Sequence, residues 1–303
     1  MVSFRDRKIA VLVALALISL TVAGCARNAG SSTVSSLQSI NPLGPLERKL
    51  VFPAAKYPEG NWQPEGLGQE EVYFTSSDGT ALHGWLVRHP NPRAVVLYSH
   101  GNGGNVTHRA QTLRLLRDRI GVTVMAYDYR GYGRSDGSPD EAGILSDARA
   151  ARAELARRTG TREADIVLMG RSLGGGVAVD LAAADGARGL ILESTFTSLT
   201  AAADANTGWM PVSSIMSNHF DSLSKIGRYR GPLLQSHGDA DRVIPFTQGE
   251  QLFAAASGPK RFVRIHGGDH NDPQTEEYYT ELIRFLDGAA LQQSVAGRSW
   301  VQE

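Results

Sequence analysis

A chain of 303 residues, 42% hydrophobic and 20% charged, has the composition of an ordinary globular enzyme and the length for one large α/β domain. Its 31 basic and 31 acidic side chains cancel, which argues against nucleic acid as a main partner, since such proteins carry a basic excess. The single cysteine, Cys25, excludes an internal disulfide.

The N-terminus differs in kind from the rest. Met1 to Lys8 carries Arg5, Arg7 and Lys8, and Ile9 to Gly24 is almost wholly apolar. That is a charged region followed by an apolar one of secretory-signal length, too short for a spanning helix of about 20 residues. The segment closes on Val22-Ala23-Gly24-Cys25, which resembles a bacterial lipobox. The resemblance implies a diacylglycerol group on Cys25, cleavage before it, and a lipid-anchored protein of the cell envelope outside the cytoplasm. A plain signal peptide, or an uncleaved anchor with an incidental cysteine, is the alternative. The expected organisation is a signal peptide over 1–24, a flexible Ser/Asn/Gly/Ala-rich tether over 25–45, a domain over 46–287 and a polar tail over 288–303.

Regular patterning begins near residue 70. Glu71–Thr75 and Leu82–Val87 read as strands joined by a Ser76-Ser77-Asp78-Gly79 turn. Ala94–Tyr98 is a buried-strand run, Val106–Arg119 has helical spacing with Leu113 and Leu116 inward, and Val122–Ala126 is a further strand. Ser138-Pro139-Asp140-Glu141 opens a helix, with Ser138 as the expected N-cap and Glu141 closing a capping box. Strands then alternate with helices: Ile166–Met169, the helix Leu173–Ala184, Leu190–Leu192, Leu233–Ser236, the helix Pro245–Ala256, Arg261–Ile265 and the helix Pro273–Leu286. Such alternation predicts a mostly parallel sheet with helices on both faces. Residues 196–231 break the rhythm and read as a short helical cap insert.

Two stretches fit Gly-x-Ser-x-Gly, the frame of a nucleophilic serine: Gly170-Arg171-Ser172-Leu173-Gly174 and Gly133-Arg134-Ser135-Asp136-Gly137. Context separates them. Ser172 follows a strand after two residues, and a helix starts at once behind it. Gly170 and Gly174 would let neighbouring backbone pass closely, and Gly175 and Gly176 would let the helix pack tightly beneath the serine. Ser135 sits in a loop, well past one strand and before the next helix. Ser172 is therefore the expected nucleophile.

A serine hydroxyl needs a base, and the base an orienting acid. In hydrolases built this way they follow at later strand ends in the order Ser, Asp or Glu, His. The loop after Leu233–Ser236 holds Asp239 and Asp241, of which Asp241 is the favoured acid; Glu193 is a more distant third. The loop after Arg261–Ile265 holds His270, the expected base. His237 and His266, at strand ends, are expected to brace loops; His83 and His89 flank a peripheral strand, His108 lies on a helix face and His219 in the insert. The loop His100-Gly101-Asn102-Gly103-Gly104-Asn105 and the residue after the serine would supply the oxyanion N–H groups, from Asn102 and Leu173. No Gly-Lys-Ser/Thr follows this loop, so a nucleotide P-loop is a poor reading. The scattered histidines show no metal-ligand spacing, so no metal or cofactor is expected.

These residues together resemble the α/β-hydrolase superfamily, and within it the small membrane-associated serine hydrolases found from bacteria to animals. The resemblance rests on HGNGGN from residue 100, YDYRGYGRSDGSPDE from 127, GRSLGGGVA from 170, LESTFTSL from 192, HGDADRVIP from 237 and GGDHND from 267, in order across about residues 70–287. It implies an α/β-hydrolase fold and, by position, a triad of Ser172, Asp241 and His270. Animal relatives use a spanning N-terminal helix where this chain offers the lipobox. The expected activity is hydrolysis of a small carboxylic ester, or a thioester, through an acyl-enzyme. A peptidase or acyltransferase on the same fold, or a non-catalytic binding lipoprotein, is the alternative. The cap insert holds Phe196, Trp209, Met210, Pro211, Ile215, Met216 and Phe220. Packing onto the core is their plain role; Trp209, Met210 and Met216 are also candidates to line an acyl pocket.

Overall fold

The computed structural model describes residues 51–207, 212–214 and 216–296, without the side chains of Val212 and residues 289–296. The lipobox and tether, Trp209, Met210, Pro211 and Ile215 lie outside the described residues. Eight strands form one sheet in the order β1-β2-β4-β3-β5-β6-β7-β8. They are β1 Glu70–Thr75, β2 Ala81–Val87, β3 Val95–Ser99, β4 Thr123–Asp128, β5 Val167–Arg171, β6 Gly189–Glu193, β7 Leu233–Gly238 and β8 Lys260–Ile265. β2 runs antiparallel to β1 and to β4, and every other pairing is parallel. The mostly parallel sheet expected from alternating strands and helices is therefore what the chain builds.

The central strands are apolar throughout because both faces are covered. Along β5, Leu168 joins the core on one face, while Val167 and Met169 join the core on the other. Burying each such side chain stabilises the fold by roughly 1.5–3 kcal/mol. The connections include α1 Ala110–Leu115, α2 Glu141–Thr159, α3 Leu173–Asp185, α6 Phe246–Ala255 and α7 Glu276–Ala296. The cap insert contributes α4 Leu199–Thr207, a 3-10 turn at Val212–Ser214 and α5 Leu223–Ile226.

Three local expectations are amended. The helix expected over Val106–Arg119 is a 3-10 turn at Val106–Arg109, then α1, then a π turn at Leu116–Ile120. Leu113 and Leu116 are buried as their spacing required. The N-cap of α2 is Asp140, whose carboxylate accepts the Gly143 N–H at 2.8 Å, and not Ser138. A carboxylate also meets the positive end of the helix dipole, so Asp140 caps at least as well two residues later. Last, α7 runs past Leu286 to Ala296, into the expected tail. The residues beyond Gly288 begin Ala-Ala-Leu-Gln-Gln, all good helix formers.

The chain passes from β3 to β4 on one side and later to β5 on the other. The sheet's topological switch thus lies between β3 and β5. In open α/β sheets the crevice beyond the carboxyl ends of the strands at this point is where ligands bind. The loop of residues 100–105 and Ser172 both stand there.

Candidate active site

The site is built on the turn from β5 into α3. Ser172 has φ 53° and ψ −118°, a conformation that L side chains rarely adopt. Such strain costs on the order of 1–3 kcal/mol and persists only where neighbours enforce it. They do so here. The Ser172 N–H donates to the Glu193 carbonyl at 2.9 Å, and its carbonyl accepts the Thr195 hydroxyl at 2.8 Å and the Gly175 N–H at 2.9 Å. A Cβ on Gly170 would collide with the Gly174 carbonyl, and one on Gly174 with the Ser99 carbonyl of β3. Gly175 lies against Thr195, and Gly176 against Phe196 and Phe220.

The expected partners converge on this serine from the ends of β7 and β8. His270 Nε2 lies 3.2 Å from Ser172 Oγ, and His270 Nδ1 lies 2.7 Å from Asp241 Oδ2. Asp241 Oδ1 accepts the N–H groups of Val243 and Ile244, each at 2.8 Å. Burial alone would push the Asp241 carboxyl up. The ring nitrogens of His237 and His270 and the Ile244 N–H outweigh it and hold the carboxyl well below the usual carboxylate range. Asp241 is thus ionised beside the imidazole. The His270 loop is fixed in turn: Arg171 Nη2 donates to the His270 carbonyl at 2.7 Å, and the His270 N–H donates to Asp269 Oδ1 at 2.8 Å.

The other carboxylates weighed for the acid are engaged elsewhere. Asp239 accepts from Arg264, from the Gly267 N–H and from His266. Glu193 is buried, accepts the Tyr278 hydroxyl at 2.6 Å, and is pushed up by burial against the opposing charge of Arg171. His83, expected at a peripheral strand, is fully buried between Glu71 and Asp128. His108 caps its own turn together with Asn105.

The loop after β3 lies against the serine: a Cβ on Gly101 would come within 3.6 Å of Ser172 Cβ. The Asn102 side chain donates to the Val51 carbonyl, and Tyr132 Oη lies 2.9 Å from both Asn102 oxygens. Among the described residues no hydrogen bond engages the backbone N–H of Asn102 or of Leu173. Residues 51–59 strap this loop to the next one. Ala55 N–H donates to the Gly104 carbonyl, Tyr57 N–H to the Gly133 carbonyl, and Asn105 Nδ2 to the Glu59 carbonyl. Sequence reasoning missed this strap, as well as Thr195, Tyr132 and the contact of His237 with Asp241. The strap has no periodic pattern to betray it, and the other three act through tertiary contacts.

A cleft of about 560 Å³ runs along the same loop, lined by Phe52, Ala55, Glu59, Gly103, His108 and Arg109 among others. Neither Ser172 nor His270 is among its lining residues. Phe196 and Phe220 of the insert are buried against α3, which is a packing role. Among the described residues no cluster of three or more His, Cys, Asp or Glu side chains is placed to hold a metal.

A strained serine on a strand-to-helix elbow, over an eight-stranded mostly parallel sheet covered by helices, defines the α/β-hydrolase fold. The comparisons agree. A family model described as serine aminopeptidase, S33, matches residues 90–224. The uncharacterized protein Rv2307c of Mycobacterium tuberculosis is 37% identical over 230 residues, 75% of this chain and 82% of the relative. The uncharacterized protein YfhR of Escherichia coli is 33% identical over 247 residues, 76% of this chain and 85% of the relative. The α/β-hydrolase domain-containing protein WAV2 of Arabidopsis thaliana is 31% identical over 241 residues, 72% of this chain and 78% of the relative. The chain belongs to the α/β-hydrolase family. Among solved structures, the Pyrococcus furiosus esterase Pf2001 matches with a TM-score of 0.67 over 78% of this chain and 98% of that one, at 17% identity. At that identity the likeness is one of fold.

Proposed function

We propose that this hydrolase cleaves small carboxylic esters, or thioesters, through an acyl-enzyme on Ser172. The observation that carries the reading is the line Ser172 Oγ–His270 Nε2 and His270 Nδ1–Asp241 Oδ2, at 3.2 and 2.7 Å, on a strained elbow. Ser172 Oγ attacks the substrate carbonyl while His270 takes its proton and later returns it to the leaving group. Asp241, ionised, holds the Nδ1–H tautomer and stabilises the imidazolium. The N–H groups of Asn102 and Leu173 receive the oxyanion, each contributing roughly 3–4 kcal/mol in the transition state. Water then attacks the acyl-enzyme through the same base. The Pyrococcus neighbour is called an esterase, which supports ester chemistry; the family description as a serine aminopeptidase keeps peptide bonds as the second reading.

Lipid attachment at Cys25 and a place in the cell envelope belong to the same proposal, supported by the lipobox-like sequence. Among the described residues no helix is long and apolar enough to cross a membrane. In metabolic labelling with palmitate, Cys25→Ser should abolish incorporation; unchanged labelling would remove the lipobox reading.

The deciding assay profiles the purified full-length protein against p-nitrophenyl esters of graded chain length and against aminoacyl anilides. Ester turnover that climbs to an optimum at roughly four to eight acyl carbons, then falls, is expected from a small cap and about 0.8 kcal/mol per buried methylene. Trp209→Ala should flatten that profile. Turnover of the anilides alone would replace the ester reading with the peptidase one.

A further inference from the structure

The acid of the proposed triad is touched by two histidines. His237, at the end of β7, is fully buried, and its Nε2 lies 3.2 Å from the same Asp241 Oδ2 that faces His270. That nitrogen also lies 2.9 Å from the Ile244 carbonyl, while Ile244 and Val243 donate their N–H groups to Asp241 Oδ1. A closed circuit results, running from His237 through Ile244 to Asp241 and back. The opposite ring nitrogen faces Gly249 of α6, where a Cβ would collide with it, and has no hydrogen-bond partner among the described residues. Gln235, two residues earlier on the same strand face, donates to the Gly249 carbonyl at 2.8 Å and so locks that contact. The Phe246 ring closes a further side, edge-on at 5.8 Å. An imidazole nitrogen placed between two acceptors must donate, so Nε2 of His237 carries a hydrogen.

Resting on the acyl-enzyme reading above, we infer that His237 is a positioning residue for the reaction: its Nε2–H, shared between Ile244 O and Asp241 Oδ2, aims the carboxylate at His270 and withdraws part of its negative charge. A carboxylate that already accepts one N–H stabilises the imidazolium of its partner less than a bare one does. Outer partners of this kind govern how a ligand or base behaves without touching substrate. The other charged groups around the pair are Asp269, tied to Arg242; Arg171, which faces the His270 carbonyl and Glu193; and Asp239, tied to Arg264. None of them bonds to the Asp241 carboxylate among the described residues.

The test is the pH profile of kcat/KM on a p-nitrophenyl ester for the full-length protein and three variants. His237→Phe and His237→Leu remove the donor; His237→Gln keeps an N–H for each acceptor. In the donor-less variants the acidic limb should move to higher pH by about half a unit, and kcat should fall about tenfold at unchanged KM, the scale of losing one hydrogen bond to a charged group. His237→Gln should restore the limb and most of kcat. A limb that stays in place in all three, or moves equally in His237→Gln, overturns the inference. If the donor-less variants do not fold, nitrogen-15 spectra of the wild-type histidines decide: His237 must carry its hydrogen on Nε2, and an Nδ1–H tautomer overturns the inference. Fluorophosphonate labelling that survives Ser172→Ala would instead strike the acyl-enzyme reading itself, so the two failures are distinguishable.

Discussion

Residues 133–137 and 170–174 share one sequence pattern and reverse its physics. In the first, the glycines carry the unusual backbone: Gly133 has φ 45° and Gly137 φ 79°, while Ser135 is not strained. In the second, the serine carries it at φ 53°, and neither flanking glycine has a positive φ. There the glycines are needed because the chain is crowded, with Gly170 against Gly174 and Gly174 against β3. The polar groups differ in the same sense. Ser135 is buried, its hydroxyl donates to the Asp128 carbonyl at 2.7 Å and accepts the His83 N–H at 3.0 Å, and its carbonyl accepts Lys56 Nζ. Ser172 commits its backbone to the fold and turns its hydroxyl to His270. A Gly-x-Ser-x-Gly frame therefore says little until one knows which residue carries the strain.

The sharpest way to break this comparison is to remove each hydroxyl. Ser172→Ala should cost about 10⁶ in kcat, the scale for losing the nucleophile of a comparable triad, and should abolish fluorophosphonate labelling. Retained turnover would mean that the elbow is not where the chemistry occurs.

The next effect is at the proposed acid. Asp241→Asn should cost about 10⁴ in kcat. The local geometry says why. Asp241 Oδ1 already accepts two backbone N–H groups, so an asparagine must place its carbonyl oxygen there and its amide nitrogen toward His270. His270 is then forced into the Nε2–H tautomer, which cannot accept the serine proton. Asp239→Asn, whose carboxylate faces Arg264 and Gly267, should change kcat less than tenfold; the reverse ranking would exchange their roles. Stability offers a second check. The folded carboxyl of Asp241 is held below its ordinary value, so its contribution is complete above about pH 4 and is lost as pH falls through the folded value. The difference in urea midpoint between wild type and Asp241→Asn should be constant from pH 7 to 5 and shrink below pH 4.

What the sequence revealed follows this division between local and distant causes. The buried strands were legible because runs such as Val95-Val96-Leu97-Tyr98 are apolar at every position, as a sheet covered on both faces demands. The elbow was legible because close approach requires glycine, and four of the five residues after Arg171 are glycine or the serine itself. His270 and Asp241 could be sought at strand ends because the fold places such groups there. The cap of α2 was misplaced because Ser138 and Asp140 are both good caps, and only tertiary packing chooses between them. The contact of His237 with Asp241 had no local signal: the two are four residues apart, on a strand end and a loop whose path is set by Ile244 and α6. The strap of residues 51–59 makes mainly backbone hydrogen bonds, which leave no mark in composition.

A smaller effect probes how the strained serine is held. Thr195 donates its hydroxyl to the Ser172 carbonyl and also packs on Gly175. Thr195→Val keeps the shape and deletes the donor, removing about 1 kcal/mol of support. If that bond helps to hold φ near 53°, kcat should fall a few-fold while KM is unchanged. A wild-type kcat in Thr195→Val would show that Glu193 and Gly175 suffice to hold the elbow.

The smallest effect on turnover, and the one that completes the contrast, is at Ser135. Ser135→Ala should leave kcat within about twofold and fluorophosphonate labelling intact, because no polar group of Ser135 bonds to the Ser172–His270–Asp241 line. It should nonetheless destabilise the fold. The hydroxyl bridges the His83 N–H of β2 and the Asp128 carbonyl at the end of β4, and both residues are fully buried. Leaving such groups without this partner costs about 1–3 kcal/mol, which for a domain of this size lowers Tm by roughly 2–12 °C. Asp128 also accepts the Val106 N–H at 2.8 Å, just after the Asn102 loop. If the strand end shifts, that loop shifts with it, and kcat falls together with Tm. A thermal melt and an ester assay on the same preparation separate the cases. Loss of Tm alone identifies a brace; loss of both identifies a brace that reaches the Asn102 loop; loss of labelling in a fully folded variant would make Ser135 the nucleophile after all.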